Sequence, residues 1–283
     1  MPEKPLISII TVNLNDIEGL KKTMTSVFGQ TFKEFEYIVI DGGSTDGSKE
    51  YIESHSDKID YWESVPDNGI FHAMNKGILK STGKYLQFLN SGDWLYNEKV
   101  LDTISKDLFD CNILFGNVVK VKPNGEKYLE KGPQGKDITL DTLFRGTVHH
   151  GSSFIDRNLF TQYGLYDEEL KIVSDWKFFL IALGLNNSKV KFIDTEVLFF
   201  DIMGISNTNI NLREFERNKV LTEIIPAPIY ADYIELLNSK INFKSKRFKM
   251  LSELENYTVA KKINSIVSKV LLKIFTGKNL KDL

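Results

Sequence analysis

YLQFLNSGDW, residues 85–94, changes chemistry abruptly along its length. Tyr85 to Leu89 reads as a buried strand, and Asn90, Ser91, Gly92 and Asp93 follow at once as a polar turn. In open α/β sheets the ligand sits just beyond the carboxyl ends of the strands. Gly92 lets the backbone approach a ligand with no Cβ in the way. Asp93 offers the hard oxygens that Mg²⁺ or Mn²⁺ takes, and such ions commonly also hold substrate phosphates. An Asx turn capping the next helix would use the same residues, so the stretch alone leaves both readings open.

Outward from this turn the pattern repeats. Residues 6–12, LISIITV, form a short β-branched run and read as a central strand. Thr11, Asn13, Asn15 and Asp16 mark its carboxyl end, and Leu20, Met24, Val27 and Phe28 recur at helical spacing. Residues 35–40 read as a second strand ending in Asp41 and a Gly/Ser-rich turn, then a helix over 48–54. Residues 59–62 read as a weaker strand and 70–79 as a helix. Strands separated by helices imply right-handed crossovers and a mainly parallel sheet. The strand-end turns then share one edge, so Thr11, Asn13, Asp41 and Asp93 are expected to converge.

The second half is less regular. Helices are expected at 100–108 and 174–183, and strands at 112–121, 153–155, 190–193 and 197–202. The last strand leads into the turn Met203-Gly204-Ile205-Ser206. From about residue 211 the chain reads as helical, broken at Pro226 and Pro228.

Composition bounds the class. The chain has 283 residues, 42% of them hydrophobic, and a formal net charge of −2. That suits one large domain with an extension. One cysteine, Cys111, excludes an internal disulfide framework and fits a reducing compartment; it reads as core filler. The N-terminus lacks the pattern of a signal peptide, and no apolar run approaches a membrane span. The expected location is the cytosol. Charge is uneven: residues 239–283 hold about 11 Lys/Arg against about 3 Asp/Glu, which leaves the rest near −10.

Four segments, SIITVNLND (8–16), GQTFKEFEYIVIDGGSTDGS (29–48), DNGIFHAMNKGI (67–78) and GKYLQFLNSGD (83–93), together resemble the family 2 glycosyltransferases in order and spacing. The resemblance extends over about residues 6–205 and fades in the tail. It implies the GT-A fold, with a nucleotide-binding half at 1–93 and an acceptor half at 94–210, followed by a helical C-terminal extension at 211–283. It implies a nucleotide-diphosphate sugar as donor, a divalent cation (Mg²⁺ or Mn²⁺), and single-displacement transfer with inversion. The acceptor would be a saccharide or a polyprenyl-linked saccharide, as in enzymes that build bacterial surface polysaccharides. Catalysis at the inner face of the cell membrane fits such acceptors.

Carried over by position, the resemblance places Thr11 and Asn13 at the nucleoside, Asp41 at the base or ribose, and Asp67 and Asn75 along the donor pocket. Asp93 matches the last acid of an Asp-any-Asp metal motif whose first acid is here Ser91. Asp175 matches the second acid of a pair that opens a helix, and Ser174 replaces the first. Asp175 would be the general base, with His149 and Trp176 on the acceptor side. A helix cap is the plainer use of Ser174-Asp175.

Residues 259–275 carry an apolar stripe with Lys261, Lys262, Lys269 and Lys273 largely off it. This helix is read either as packing on protein, including a second subunit, or as lying on an anionic membrane surface. Nucleic-acid binding is not expected, because no recognised nucleic-acid module accompanies the charge. The Ser91 and Ser174 departures keep a catalytically inactive sugar-nucleotide-binding protein as the alternative. A nucleotidyltransferase on a similar sheet would need a Gly-rich phosphate loop with a basic residue after the first strand, and Asn13-Leu14-Asn15-Asp16 stands there instead; a dinucleotide-dependent oxidoreductase would need a G-x-G-x-x-G opening the first helix, and the sequence has none there.

Overall fold

The computed structural model describes residues 4–133, 137–204, 208–243 and 245–277. The chain forms two compact units, Met1–Asn218 and Lys219–Leu283.

The first unit is built on a sheet in the order β3-β2-β1-β4-β8-β6-β9-β5, with β7 paired to β6. These strands are β1 Ile7–Asn13, β2 Phe35–Asp41, β3 Tyr61–Ser64, β4 Tyr85–Phe88, β5 Trp94–Leu95, β6 Ile113–Val121, β7 Lys127–Glu130, β8 Ser153–Asp156 and β9 Val190–Asp201. All seven residues of β1 are buried, as a central parallel strand covered on both faces requires. The block β3-β2-β1-β4 is parallel throughout, in the register Ile10↔Ile38 and Ile10↔Phe88. Beyond β4 the sheet turns mixed. β8 runs antiparallel to both β4 and β6, while β9 runs parallel to β6. The expectation of a mainly parallel sheet therefore describes the first half only.

The helices of this unit follow the apolar spacing. Helix α1 (Ile17–Phe28) buries Leu20, Met24 and Val27. They join Ile7, Ile9, Tyr37, Val39 and Phe154 in one core cluster. A short α2 spans Ser48–Glu53. Helix α3 (Ile70–Lys80) lies against β1 at Gly77, where a Cβ would stand 2.4 Å from Ile10 Cγ2. Only glycine allows that approach. Helices α4 (Val100–Ser105), α5 (Leu140–Arg145), α6 (Asn158–Tyr163) and α7 (Ser174–Phe179) are short, and α7 passes into a π-helical turn at Leu180–Leu185.

Two strand readings are corrected. The third strand begins at Tyr61, because Ile59 closes a 3-10 turn and Asp60 donates its N–H to the Tyr37 carbonyl. The strands expected at 190–193 and 197–202 are one strand, β9. Its polar middle is accommodated by an irregularity opposite Phe115–Val118. There Asn117 donates to Asp194 Oδ1 at 2.7 Å, and a Cβ on Gly116 would collide with the Thr195 carbonyl at 2.6 Å.

Helix α8 (Ile210–Ile224) carries the chain past the boundary between the units. The second unit contains α9 (Ala227–Phe243), α10 (Lys246–Leu254) and α11 (Thr258–Thr276). No helix among the described residues is long and apolar enough to cross a membrane.

Candidate active site

A cavity of about 990 Å³ opens at the carboxyl ends of β1 and β4. Its floor is the Asn90–Asp93 turn together with Asn13 and Asp16. Gly92 takes φ +92°, a left-handed conformation that side chains disfavour, so the tight turn needs glycine. The turn is pinned from two sides. Thr23 Oγ1 donates to the Asp93 carbonyl at 2.7 Å, and the Ser91 N–H donates to the Val12 carbonyl at 3.1 Å.

Asp93 is 6% exposed and lines the cavity. Burial pushes its carboxyl well above the usual carboxylate range. The Asp201 N–H, donating to Asp93 Oδ1 at 3.1 Å, draws it back, and the Asp201 charge pushes it up again. Asp201, at the end of β9, also lines the cavity. No group of three or more His, Cys, Asp or Glu side chains placed to hold a metal occurs among the described residues. Asp93 and Asp201, both lining the cavity, carry the hard carboxylate oxygens that Mg²⁺ or Mn²⁺ takes.

The predicted donor residues separate into two sets. Asn13 and Asp67 line the cavity, as do Ser91 and Asp93. Thr11, Asp41 and Asn75 do not. Thr11 shares the buried face of Ile7 and Ile9, and its Oγ1 accepts from the Tyr37 hydroxyl at 3.0 Å. Asp41 is fully buried beneath the floor. It accepts from Asn13 Nδ2 at 2.7 Å, from the Ser44 and Ser64 hydroxyls at 2.5 and 2.6 Å, and from the Ser44 N–H at 2.9 Å. Burial pushes its carboxyl up, but these bonds outweigh burial and hold it below the ordinary value. Asp41 therefore fixes Asn13 and the 41–44 turn. Asn75 is a clamp: its amide donates to the Tyr166 carbonyl at 2.9 Å and to Glu168 Oε1 at 2.8 Å, and its Oδ1 accepts from the Tyr166 N–H at 3.0 Å.

The opposite wall comes from α7 and its surroundings. Asp175 lies in the first turn of α7, half-buried, and lines the cavity. Burial pushes its carboxyl up to about 6, against the Trp176 N–H and the Arg217 charge, which favour the ionised form. The helix is capped at Val173 with no side-chain bond, so neither Ser174 nor Asp175 is the N-cap. Ser174 is buried, and its Oγ accepts from the Asp167 N–H at 2.5 Å. Trp176 lines the cavity while its Nε1 donates to the Leu143 carbonyl at 2.7 Å. Trp94, by contrast, stacks on Phe199 at 5.0 Å and is not a lining residue.

His149 and His150 also line this wall. Burial lowers His149 to about 4 and His150 to about 3, so both are neutral at pH 7. His149 sits edge-on to Phe200 at 4.6 Å, and its buried Nδ1 has no partner among the described residues. His150 stacks on Phe88, with Nε2 2.9 Å from the Tyr166 hydroxyl. Met203 and Gly204 line the cavity, whereas Ile205 and Ser206 lie outside the described residues.

The sequence reads as helical over α8 but does not bring this helix to the site. Its Arg213 and Arg217, one helical turn apart, both line the cavity. The Arg217 guanidinium lies 4.7 Å over the Trp176 ring and donates to the Gly146 carbonyl at 2.8 Å. Burial lowers its pKa, and the nearby acids, among them Glu214 and Asp175, raise it again. Between the two arginines, Glu216 is 5% exposed and accepts from the N–H groups of Lys171, Ile172 and Val173 at 2.7, 2.9 and 3.3 Å. It fixes the segment that leads into Asp175. The usable signal was the i, i+4 pair of arginines just beyond residue 210, past the end of the recognisable motifs.

A mixed sheet with a parallel first half, carrying a strand-end acid and the acid of α7 on one cavity, has the GT-A architecture. The model of glycosyl transferase family 2 matches residues 8–163, more than half of the chain, and the chain belongs to that family. It is a glycosyltransferase. An uncharacterized glycosyltransferase of Mycobacterium tuberculosis is 32% identical over 188 residues, covering 64% of this chain and 70% of the relative. A PGL/p-HBAD biosynthesis glycosyltransferase of Mycobacterium bovis is 25% identical over 228 residues, 78% of this chain and 86% of the relative. Among solved structures, S. aureus TarS 1-349 in complex with UDP-GlcNAc has a TM-score of 0.59 at 18% identity, covering 73% of this chain and 61% of that one. The mannosyltransferase PcManGT from Pyrobaculum calidifontis, in complex with GDP-Man and Mn²⁺, has a TM-score of 0.52 at 14% identity, covering 95% and 89%. At these identities the structural likeness speaks for the fold.

Proposed function

We infer that this glycosyltransferase inverts: it moves a sugar from a nucleotide-diphosphate sugar to a hydroxyl of a saccharide or polyprenyl-linked saccharide, with Asp175 as general base. The observation that carries this reading is Asp175 itself, a carboxylate on the cavity wall whose pKa is raised to about 6. A base works best when its pKa approaches the working pH. The acceptor oxygen attacks the anomeric carbon as the bond to the diphosphate breaks, and its proton passes to Asp175.

The donor would lie over the Asn90–Asp93 turn. Asn13 is held by Asp41 at that edge, and the first turn of α3, whose Gly69 N-cap makes no side-chain cap bond, would turn its N–H groups to phosphate oxygens. Mg²⁺ or Mn²⁺ would be held by Asp93 with Asp201, and when bound it offsets the charge of the departing diphosphate. Arg217 and His149 would face the acceptor side, against the apolar wall of Trp176.

The second reading, a binding protein without catalysis, draws on Ser91 and Ser174. The buried, structural use of Ser174 weakens it, since that position faces the protein rather than the cavity. The two readings divide on the parent itself, measured with metal as release of nucleoside diphosphate from sugar donors: no release would favour the binding protein, and release makes Asp175→Asn the test of the base. The substitution should lower turnover by about 100-fold or more and leave nucleotide affinity unchanged. Turnover equal to that of the parent would remove Asp175 from the base role.

A further inference from the structure

The second unit carries a surface that sugar transfer does not use. Helix α11 presents Val259, Ile266, Ile274 and Phe275 at 71, 63, 67 and 79% exposure. Ile263, Val267, Val270 and Leu271 are exposed with them. At about 100° per residue, this apolar set from Val259 to Ile274 occupies roughly 140° of the helix circumference. Lys262, Lys269 and Lys273 fall within roughly 40° along one border of that arc. Asn264, Ser265 and Ser268 lie on the opposite side. An apolar stripe this long is rarely left in water.

We propose that α11 lies in the plane of an anionic membrane surface, apolar stripe down and lysine border at the headgroups. Charge chooses the occupant. Helix α11 contains four lysines and no acid, so two copies placed stripe to stripe would bring like charges together. Lys261 pairs with Glu255 Oε2 at 3.0 Å; for Lys262, Lys269 and Lys273 along the border a phosphate-bearing surface supplies countercharge, and lysines at the edge of an apolar face can extend their stems while the ammonium groups reach the headgroups. The preceding α10 adds Lys246, Arg247 and Lys249, with Phe248, Met250 and Leu251 exposed beside them. The lysines make α11 unsuited to span the hydrocarbon, in accord with the absence of a membrane-crossing helix among the described residues.

The test is flotation of the full chain with vesicles of phosphatidylcholine containing about one-third phosphatidylglycerol, against phosphatidylcholine alone. The chain should float with the anionic vesicles and not with the neutral ones, and raising salt to about 0.5 M should release most of it. Ile266→Asp with Val270→Asp, and separately Lys262→Glu with Lys269→Glu, should each weaken vesicle binding about tenfold or more. Nucleotide binding and thermal stability should stay as in the parent, which separates this surface from the active-site reading and from misfolding. Parent-like flotation of either variant, equal flotation with neutral vesicles, or no flotation of the parent would overturn the proposal. So would a dimer that Ile266→Asp with Val270→Asp dissolves, because a second copy would then cover the stripe.

Discussion

Asp175 is held between burial, which disfavours its charge, and the Trp176 N–H and Arg217, which favour it. The balance leaves its pKa at about 6, above the ordinary 3.8. A carboxyl raised in this way is easier to protonate in the folded than in the unfolded chain. Its ionisation therefore costs no stability below about pH 4, costs progressively more up to about pH 6, and costs the full amount above that. Asp175→Asn removes the cost. The variant should be more stable than the parent at pH 7, by on the order of 2 kcal/mol, and the gain should vanish near pH 4 in urea titrations. A loss of stability at both pH values would mean that the carboxylate makes a stabilising contact that the amide does not replace. Parent kcat/KM should fall below about pH 6 as the base protonates. At this scale an element-end position was a partial guide, since Asp41 at the end of β2 is buried beneath the floor. Asn13, Asp67, Asp93 and Asp175 all reach the cavity. Thr11 stops two residues short of the edge on the core face, and Asn75 points from α3 to the Tyr166 backbone. A motif gives the position of a residue but not the face it turns to, so their true partners were not legible.

Among elements, the start of α7 depends on α8. Glu216 binds three successive backbone N–H groups just before Asp175. Glu216→Ala leaves those donors without partners and should cost about 2–4 kcal/mol. Because the segment carries Asp175, the proposed base, turnover should fall while nucleotide affinity holds, and Glu216→Gln should restore part of it. Full turnover in Glu216→Ala would show that the base is positioned independently of α8. Gly77→Val should destabilise by about 1–3 kcal/mol through overpacking of α3 against Ile10, read as a lowered denaturant midpoint. The parallel strands and α1 and α3 were legible because each has one dominant period. Strand β9 was not, because the polar Asp194-Thr195 step looks like a loop until Asn117 and Gly116 are seen to accommodate it. Helix α8 escaped assignment to the site because its pattern is mostly polar, and only its partners reveal its role.

For the whole molecule, the sequence resemblance and the family match agree on a glycosyltransferase, and the mixed half of the sheet supplies what local pattern could not. β8 inserts antiparallel beside β4 and brings the His149–His150 segment to the cavity. Pairing between segments so distant in sequence leaves no periodic trace. The charge asymmetry was legible from composition, and its physical form is the lysine-bordered stripe of the second unit. The central claim is that the Asn90–Asp93 turn holds a nucleotide-diphosphate sugar through a cation at Asp93. It is tested most directly by titration calorimetry of UDP, GDP and dTDP, each with and without Mn²⁺, on the parent and on Asp93→Ala. One nucleotide should bind in the presence of Mn²⁺ and more weakly without it, and Asp93→Ala should abolish the metal-dependent part. Binding of none of the three, or metal-dependent binding that Asp93→Ala leaves intact, would contradict it.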